Sequence, residues 1–122
     1  MMDYKLEPES AILYLRPKSA LAQSDFEQLA QCVDPFIENS GSLAGLIIDA
    51  PVFPGWDDFA AMAAHFQFVK DHHRQIKKVA LVTDSALGNV AEHLASHFLA
   101  AEIKHFPAGE TAAAKQWVLS TG

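Results

Sequence analysis

Three features of this sequence predict an α/β fold: one domain over residues 1–122, with a mostly parallel mixed sheet of about five strands packed by about four helices. Two apolar runs, residues 43–50 and 79–83, have the pattern of strands covered on both faces, and each meets an acid at its end, Asp49 or Asp84. Stretches of helical periodicity alternate with these runs. Only the amino-terminal pair of strands is separated by a turn short enough for a hairpin. Strands joined through helices cross over and run parallel, so the sheet is antiparallel only at its start.

Taken in order, residues 3–7 form a short edge strand, and residues 11–16 form a better one, closed by Pro17, with Pro8, Glu9 and Ser10 as the turn between them. Ser24 reads as a helix cap with Glu27 three residues on, and Phe26, Leu29, Ala30, Val33, Phe36 and Ile37 then recur at helical spacing. Pro35 should kink that helix or end its regular part, and Ser40, Gly41 and Ser42 close it. After the strand at 43–50, Pro51, Pro54 and Gly55 hold the next loop irregular. Asp57 is placed to cap a helix from Asp58, with Phe59, Met62, Ala63, Phe66 and Val69 on one face, Phe68 beside it and a polar end at residues 71–75. The strand at 79–83 leads to a helix over about 87–99, with Val90, Ala91, Leu94, Ala95 and Phe98 as its stripe. A last strand at 103–106, a turn at 107–109 and a closing helix at 110–119 burying Ala113, Ala114 and Trp117 complete the chain.

Half of the residues are hydrophobic and a fifth are charged, the composition of a globular domain. A formal charge of -6 repels phosphate backbones and anionic headgroups. Nucleic acid is excluded as a partner on that ground, and peripheral membrane contact would have to come from apolar insertion. The lone cysteine, Cys32, fits a reducing compartment and reads as a buried apolar thiol in the first helix. The first residues lack the basic and apolar stretches of a signal peptide, and no apolar run approaches the roughly 20 residues needed to span a bilayer, so the expected location is the cytoplasm.

The run from Phe68 through His72, His73, Arg74 and Val79 to Asp84, preceded by Gly55, Trp56, Asp57, Asp58 and Phe59 and followed by Ala101, Glu102, Ile103, Lys104, His105 and Phe106, resembles the bacterial SpoIIAA-like family. The resemblance covers nearly the whole chain and is clearest from Leu46 to Phe106. It implies a STAS-type fold, as in anti-sigma-factor antagonists, with likeness to CRAL-TRIO lipid-carrier domains, and through that likeness a lipophilic ligand or membrane contact. Anti-sigma-factor antagonists carry a phosphorylatable serine just after the central strand. Residues 49–57 here contain neither Ser nor Thr, and Ser85 follows the next strand, so a phosphorelay is not expected.

Ligands of open α/β sheets bind outside the carboxyl ends of the strands, which draws attention to the loop after Asp49. Val52, Phe53 and Trp56 are large apolar groups on a segment that proline and glycine keep irregular. With Phe59, Phe66, Leu94 and Phe98 they would wall an apolar crevice, or else cap the core or a dimer contact. Asp49 and Asp84 end parallel strands and could share that crevice, as a Mg²⁺ site or an acid–base pair. A strand-ending Asp is also a common turn former, and no phosphate loop or nearby Lys supports catalysis. His93 and His97 stand one helical turn apart but lack the neighbouring glutamate of metalloproteases and a third ligand, so no metal site is assigned. His65, His72, His73, His93 and His97 form a candidate pH switch whose protonation would loosen helix contacts.

The sequence thus predicts a domain without enzymatic activity or cofactor. It would bind a small lipophilic molecule, with peripheral membrane contact, an open and closed or pH-sensitive switch, and weak homodimerisation. The alternative is a regulatory protein–protein module of the anti-sigma-factor-antagonist type without the phosphorylatable serine.

Overall fold

The computed structural model describes residues 2–50, 59–83 and 102–120, with the backbone alone described at residues 59, 60, 62, 65, 66, 69, 70 and 73. Its elements are β1 (Met2–Glu7), β2 (Ile12–Pro17), α1 (Gln23–Ser40), β3 (Leu43–Asp49), α2 (Phe59–His72) with a 3-10 turn at His73–Gln75, β4 (Ile76–Val82), β5 (Glu102–Phe106) and α3 (Thr111–Leu119). The helices therefore number three among the described residues rather than about four, the helix expected over 87–99 lying outside them. The five strands form one sheet in the order β1-β2-β3-β4-β5. β1 runs antiparallel to β2, and every other neighbouring pair is parallel, which is the mixed, mostly parallel sheet expected.

The alternation of each strand sorts the apolar side chains to two faces. Leu13, Leu15, Leu46, Val79 and Ile103 meet Phe26, Leu29 and Val33 of α1 and Phe68 of α2. Ile12, Ile47, Ala80, Val82 and Phe106 meet Ala114 and Val118 of α3 on the opposite face. Burial of each large aliphatic group contributes about 1.5–3 kcal/mol, so β2, β3 and β4, buried from both sides, anchor the fold. The close fit of α3 depends on Gly45, where an added Cβ would lie 2.2 Å from Val118 Cγ1.

Several elements begin, or turn their faces, differently from the sequence expectation. α1 starts at Gln23 with Ala22 as its cap residue, which places Ser24 inside the helix. Ala22 has no side-chain acceptor to offer. Asp25 compensates from within the first turn, where its Oδ2 accepts the Ala22 N–H at 2.8 Å and its own N–H donates to the Ala22 carbonyl at 3.0 Å. Pro35 does not end the helix, which continues to Ser40, where Gly41 at φ 90° closes it by donating its N–H to the Ile37 carbonyl. Cys32 is half-buried rather than buried.

Among the described side chains of α2, Ala61, Phe68 and His72 are buried with Ala64 half-buried beside them, whereas Ala63, expected on the core stripe, is exposed. A helix apolar on most sides lets tertiary packing choose its face. β4 starts three residues before the expected strand, at Ile76. On α3 it is Val118 that is buried alongside Ala114, while Ala113 and Trp117 pack half-buried against the same cluster.

Candidate functional site

The carboxyl ends of β2, β3, β4 and β5 form one rim, because the parallel strands stop at corresponding heights. Asp49 is in register with Val82, and Val82 with Phe106. Main-chain bonds extend the rim beyond the strands: Ala50 N–H donates to the Val82 carbonyl and Thr83 N–H to the Phe106 carbonyl, each at 3.0 Å. The His105 ring adds a further tie, its Nε2 donating to the Thr83 carbonyl at 2.7 Å.

Asp49 is the expected polar residue that the structure describes on this rim. Its Oδ2 receives Arg16 Nη2 at 2.9 Å and Arg16 Nε at 3.2 Å. This is an ion pair across the β2–β3 boundary, with the guanidinium largely exposed and the carboxylate mostly covered. The pair brings a cation to the carboxylate that the sequence pattern sets beside a second acid, Asp84, which lies outside the described residues. Among the described residues no group of three His, Cys, Asp or Glu side chains could hold a metal ion.

Val52, Phe53, Trp56, Leu94 and Phe98 of the expected apolar wall also lie outside the described residues, as do His93 and His97. For Phe59, Phe66, His65 and His73 the helix or turn backbone is described without the side chain. The segments bearing the wall residues nevertheless leave the sheet side by side, from Ala50 and Thr83. The strand order adds a constraint. Crevices at topological switch points arise where the winding of a sheet reverses, and the order here runs straight from β2 to β5. A ligand site on this rim would depend on the connecting segments rather than on a reversal.

His72 is placed elsewhere. It ends α2 just before β4, at the amino edge of the sheet, and the seven-residue β3 separates that edge from Asp49 by roughly 20 Å. The ring is buried and stacks on Phe68 with centroids 4.1 Å apart. Its Nδ1 lies 2.8 Å from the Phe68 carbonyl and its Nε2 2.5 Å from Asp34 Oδ1 on α1. A carbonyl and a carboxylate both accept, and only the doubly protonated ring donates to both. The Nε2 contact joins α2 to α1, whereas the Nδ1 contact lies within α2.

A third polar group joins the hairpin to α3. Glu7 Oε1 accepts from the Tyr14 hydroxyl and the Ser10 hydroxyl, both at 3.1 Å, and lies 3.5 Å from Lys115 Nζ. The Tyr14 hydroxyl is the largest influence holding the Glu7 carboxyl below its ordinary range, followed by Ser10 and then by Lys115. Desolvation and then the Glu7 carboxylate push the Tyr14 phenol up.

A family model described as SpoIIAA-like matches residues 12–119, the span from the first residue of β2 to the last of α3. The chain belongs to the SpoIIAA-like family. None of the curated proteins matches it. A crystal structure of an uncharacterized protein of the DUF3478 family with a SpoIIAA-like fold, from Shewanella loihica PV-4, is similar at a TM-score of 0.77 and 20% identity, over 96% of this chain and 93% of that one. At that identity the likeness carries the fold alone.

A SpoIIAA-like domain is compatible with a regulatory or binding module. No helix among the described residues is long and apolar enough to cross a membrane. The residues that sequence reading missed in this SpoIIAA-like chain are Arg16, Asp34 and Lys78. Arg16 is the partner of Asp49 and Asp34 that of His72, contacts seen only once the strand register and the α1–α2 packing are known. Lys78 is buried, and its ammonium donates to the Trp117 carbonyl, the Ser120 carbonyl and Ser120 Oγ at 3.0, 2.8 and 3.0 Å.

Proposed function

We propose that this SpoIIAA-like domain is a non-catalytic binding module that takes a small lipophilic molecule at the carboxyl rim of its parallel sheet. The observation that carries the reading is the register of Asp49 with Val82. It makes the segment with Val52, Phe53 and Trp56 leave the sheet beside the segment with Leu94 and Phe98. Two connections bearing large apolar residues, Phe53 and Trp56 on one and Leu94 and Phe98 on the other, are rooted at adjacent strand ends and supply apolar surface for one ligand. The polar chemistry at the rim supports binding over catalysis, since the Asp49 carboxylate is engaged by Arg16.

The test is native mass spectrometry of the protein purified from its host, with organic extraction of whatever accompanies it. A lipophilic molecule that co-purifies with the wild type and is lost from a folded Trp56→Ala variant is the expected result. Family membership favours a second reading, in which the same rim docks a partner chain in a regulatory complex. A protein that carries no small molecule and retains a polypeptide through the same residues would replace the first reading by the second.

A further inference from the structure

The outer side of β1 bears on assembly independently of the ligand reading. β1 ends the strand order, and among the described residues no main-chain bond reaches it except from β2. Which of its groups point outward follows from the hydrogen-bond alternation. Ala50 N–H reaches the Val82 carbonyl at 3.0 Å, so the even residues of β3 address β4 and Gly45, Ile47 and Asp49 address β2; at the start of the strand the Ala11 carbonyl takes both the Ala44 N–H at 2.8 Å and the Gly45 N–H at 3.4 Å. The odd residues of β2 accordingly face β3, and Ile12, Tyr14 and Arg16 face β1. Their partners Glu7, Lys5 and Asp3 point back at β2. Met2, Tyr4 and Leu6 are left with their N–H and C=O groups directed outward.

We infer that this edge pairs with the same edge of a second copy, in an antiparallel seam with Tyr4 on the two-fold axis. Two antiparallel edges can pair only in registers that set outward residues against outward residues. Centring on Asp3 would put Asp3 opposite Asp3. Centring on Lys5 would put Lys5 opposite Lys5 and Asp3 opposite Glu7. Centring on Tyr4 sets Tyr4 against Tyr4, Met2 against Leu6, and Asp3 against Lys5 on both sides of the axis. Of these three registers it alone places opposite charges together. It does so at the pairs that do not exchange main-chain bonds, where side chains approach most closely.

The faces agree with this register. Met2 and Leu6 belong to the cluster under α1, and Tyr4 between them is 39% exposed, a large apolar group uncovered within one copy. The two-fold lays one Tyr4 ring beside the other on that face and keeps the charges on the opposite face. Asp3 also pairs with Lys18 at 3.2 Å, both ends exposed, a contact of small worth that a nearby second lysine complements. The edge is consumed by pairing, so the assembly closes at two copies. A seam of three outward residues per strand suits a weak, concentration-dependent dimer.

Sedimentation velocity on the full chain over a concentration series tests this. The wild type should pass from monomer to dimer. Lys5→Glu, which sets an acid opposite Asp3 twice, should weaken the dimer about tenfold or more. The double swap Asp3→Lys with Lys5→Glu should restore it. Tyr4→Pro should abolish the dimer by removing an outward N–H, while the β2 ladder, carried by Asp3, Lys5 and Glu7, survives with an unchanged far-ultraviolet spectrum. If Tyr4→Pro fails to fold, the charge swap alone decides. A wild type that stays monomeric at millimolar concentration, or a dimer indifferent to Lys5→Glu, would overturn the inference.

Discussion

At the scale of single residues, Glu7 shows how a surface carboxylate acquires a role. One oxygen takes two hydroxyl hydrogen bonds and faces a lysine, and the Tyr14 hydroxyl, then Ser10, then Lys115 hold the carboxyl below its ordinary range. A group held low binds its proton less tightly in the folded chain than in the unfolded one. Its contribution is therefore present above the ordinary carboxylate value and lost as the pH falls through the lower, folded value. Thermal melting from neutral to strongly acid pH should show a wild-type decline that Glu7→Gln flattens in the acid range. Parallel curves for the two proteins would show that Glu7 has no part in the decline. Ala11 makes a related point about local geometry, since it holds φ at 57° in the turn before β2, a conformation alanine adopts at a cost of about 1 kcal/mol. Nothing in the composition of Pro8, Glu9 and Ser10 marks Ala11 as the residue that must bend.

At the scale of elements, legibility followed how many neighbours an element needs before its pattern is fixed. β3 was readable because a continuous apolar run is the signature of a strand buried on both sides. β4 was readable only from Val79. Ile76, Lys77 and Lys78 fall between the polar helix end and the apolar run, and two lysines do not read as a covered strand until α3 supplies acceptors for the Lys78 ammonium. α1 announced its stripe from Phe26 to Ile37, while α2, apolar on most sides, did not reveal that Ala61 and His72 would be buried with Phe68. The contact between β3 and α3 was equally hidden, because Gly45 reads as an ordinary glycine in an apolar run. Gly45→Ala places a Cβ 2.2 Å from Val118 Cγ1, a clash that forces α3 outward at about 1–3 kcal/mol, read as a lower denaturant midpoint. Val118→Ala should destabilise by itself through the cavity it leaves, yet recover stability when combined with Gly45→Ala. Simple additivity in that double-mutant cycle would show that the two sites do not meet.

At the scale of the molecule, the sheet separates two layers that are held by different means. α1 and α2 share one face through Phe26, Phe68 and the His72–Asp34 bond. α3 alone covers the other, among the described residues, through Ala114, Val118 and the ammonium of Lys78. The mixed sheet and its helical layers were legible from alternation alone. The rim was legible only in part, since Asp49 could be placed at a strand end but its contact with Arg16 depends on the β2–β3 register. Lys78 marks where the layers differ most. Its three donors are all satisfied by the carboxyl end of α3, with the Trp117 ring centroid 5.2 Å away, so among the described residues the ammonium is held by main-chain and hydroxyl oxygens and bolts that helix end to β4. Lys78→Met keeps the apolar stem and removes those bonds, at a cost of about 1–2 kcal/mol. Because α3 contributes nothing to the α1–α2 face, the loss should be local. Hydrogen exchange should quicken in the amides of α3 ahead of those of β3 and α1, which would retain wild-type protection. Uniform acceleration across both layers would mean instead that the sheet and its two faces open as one cooperative unit.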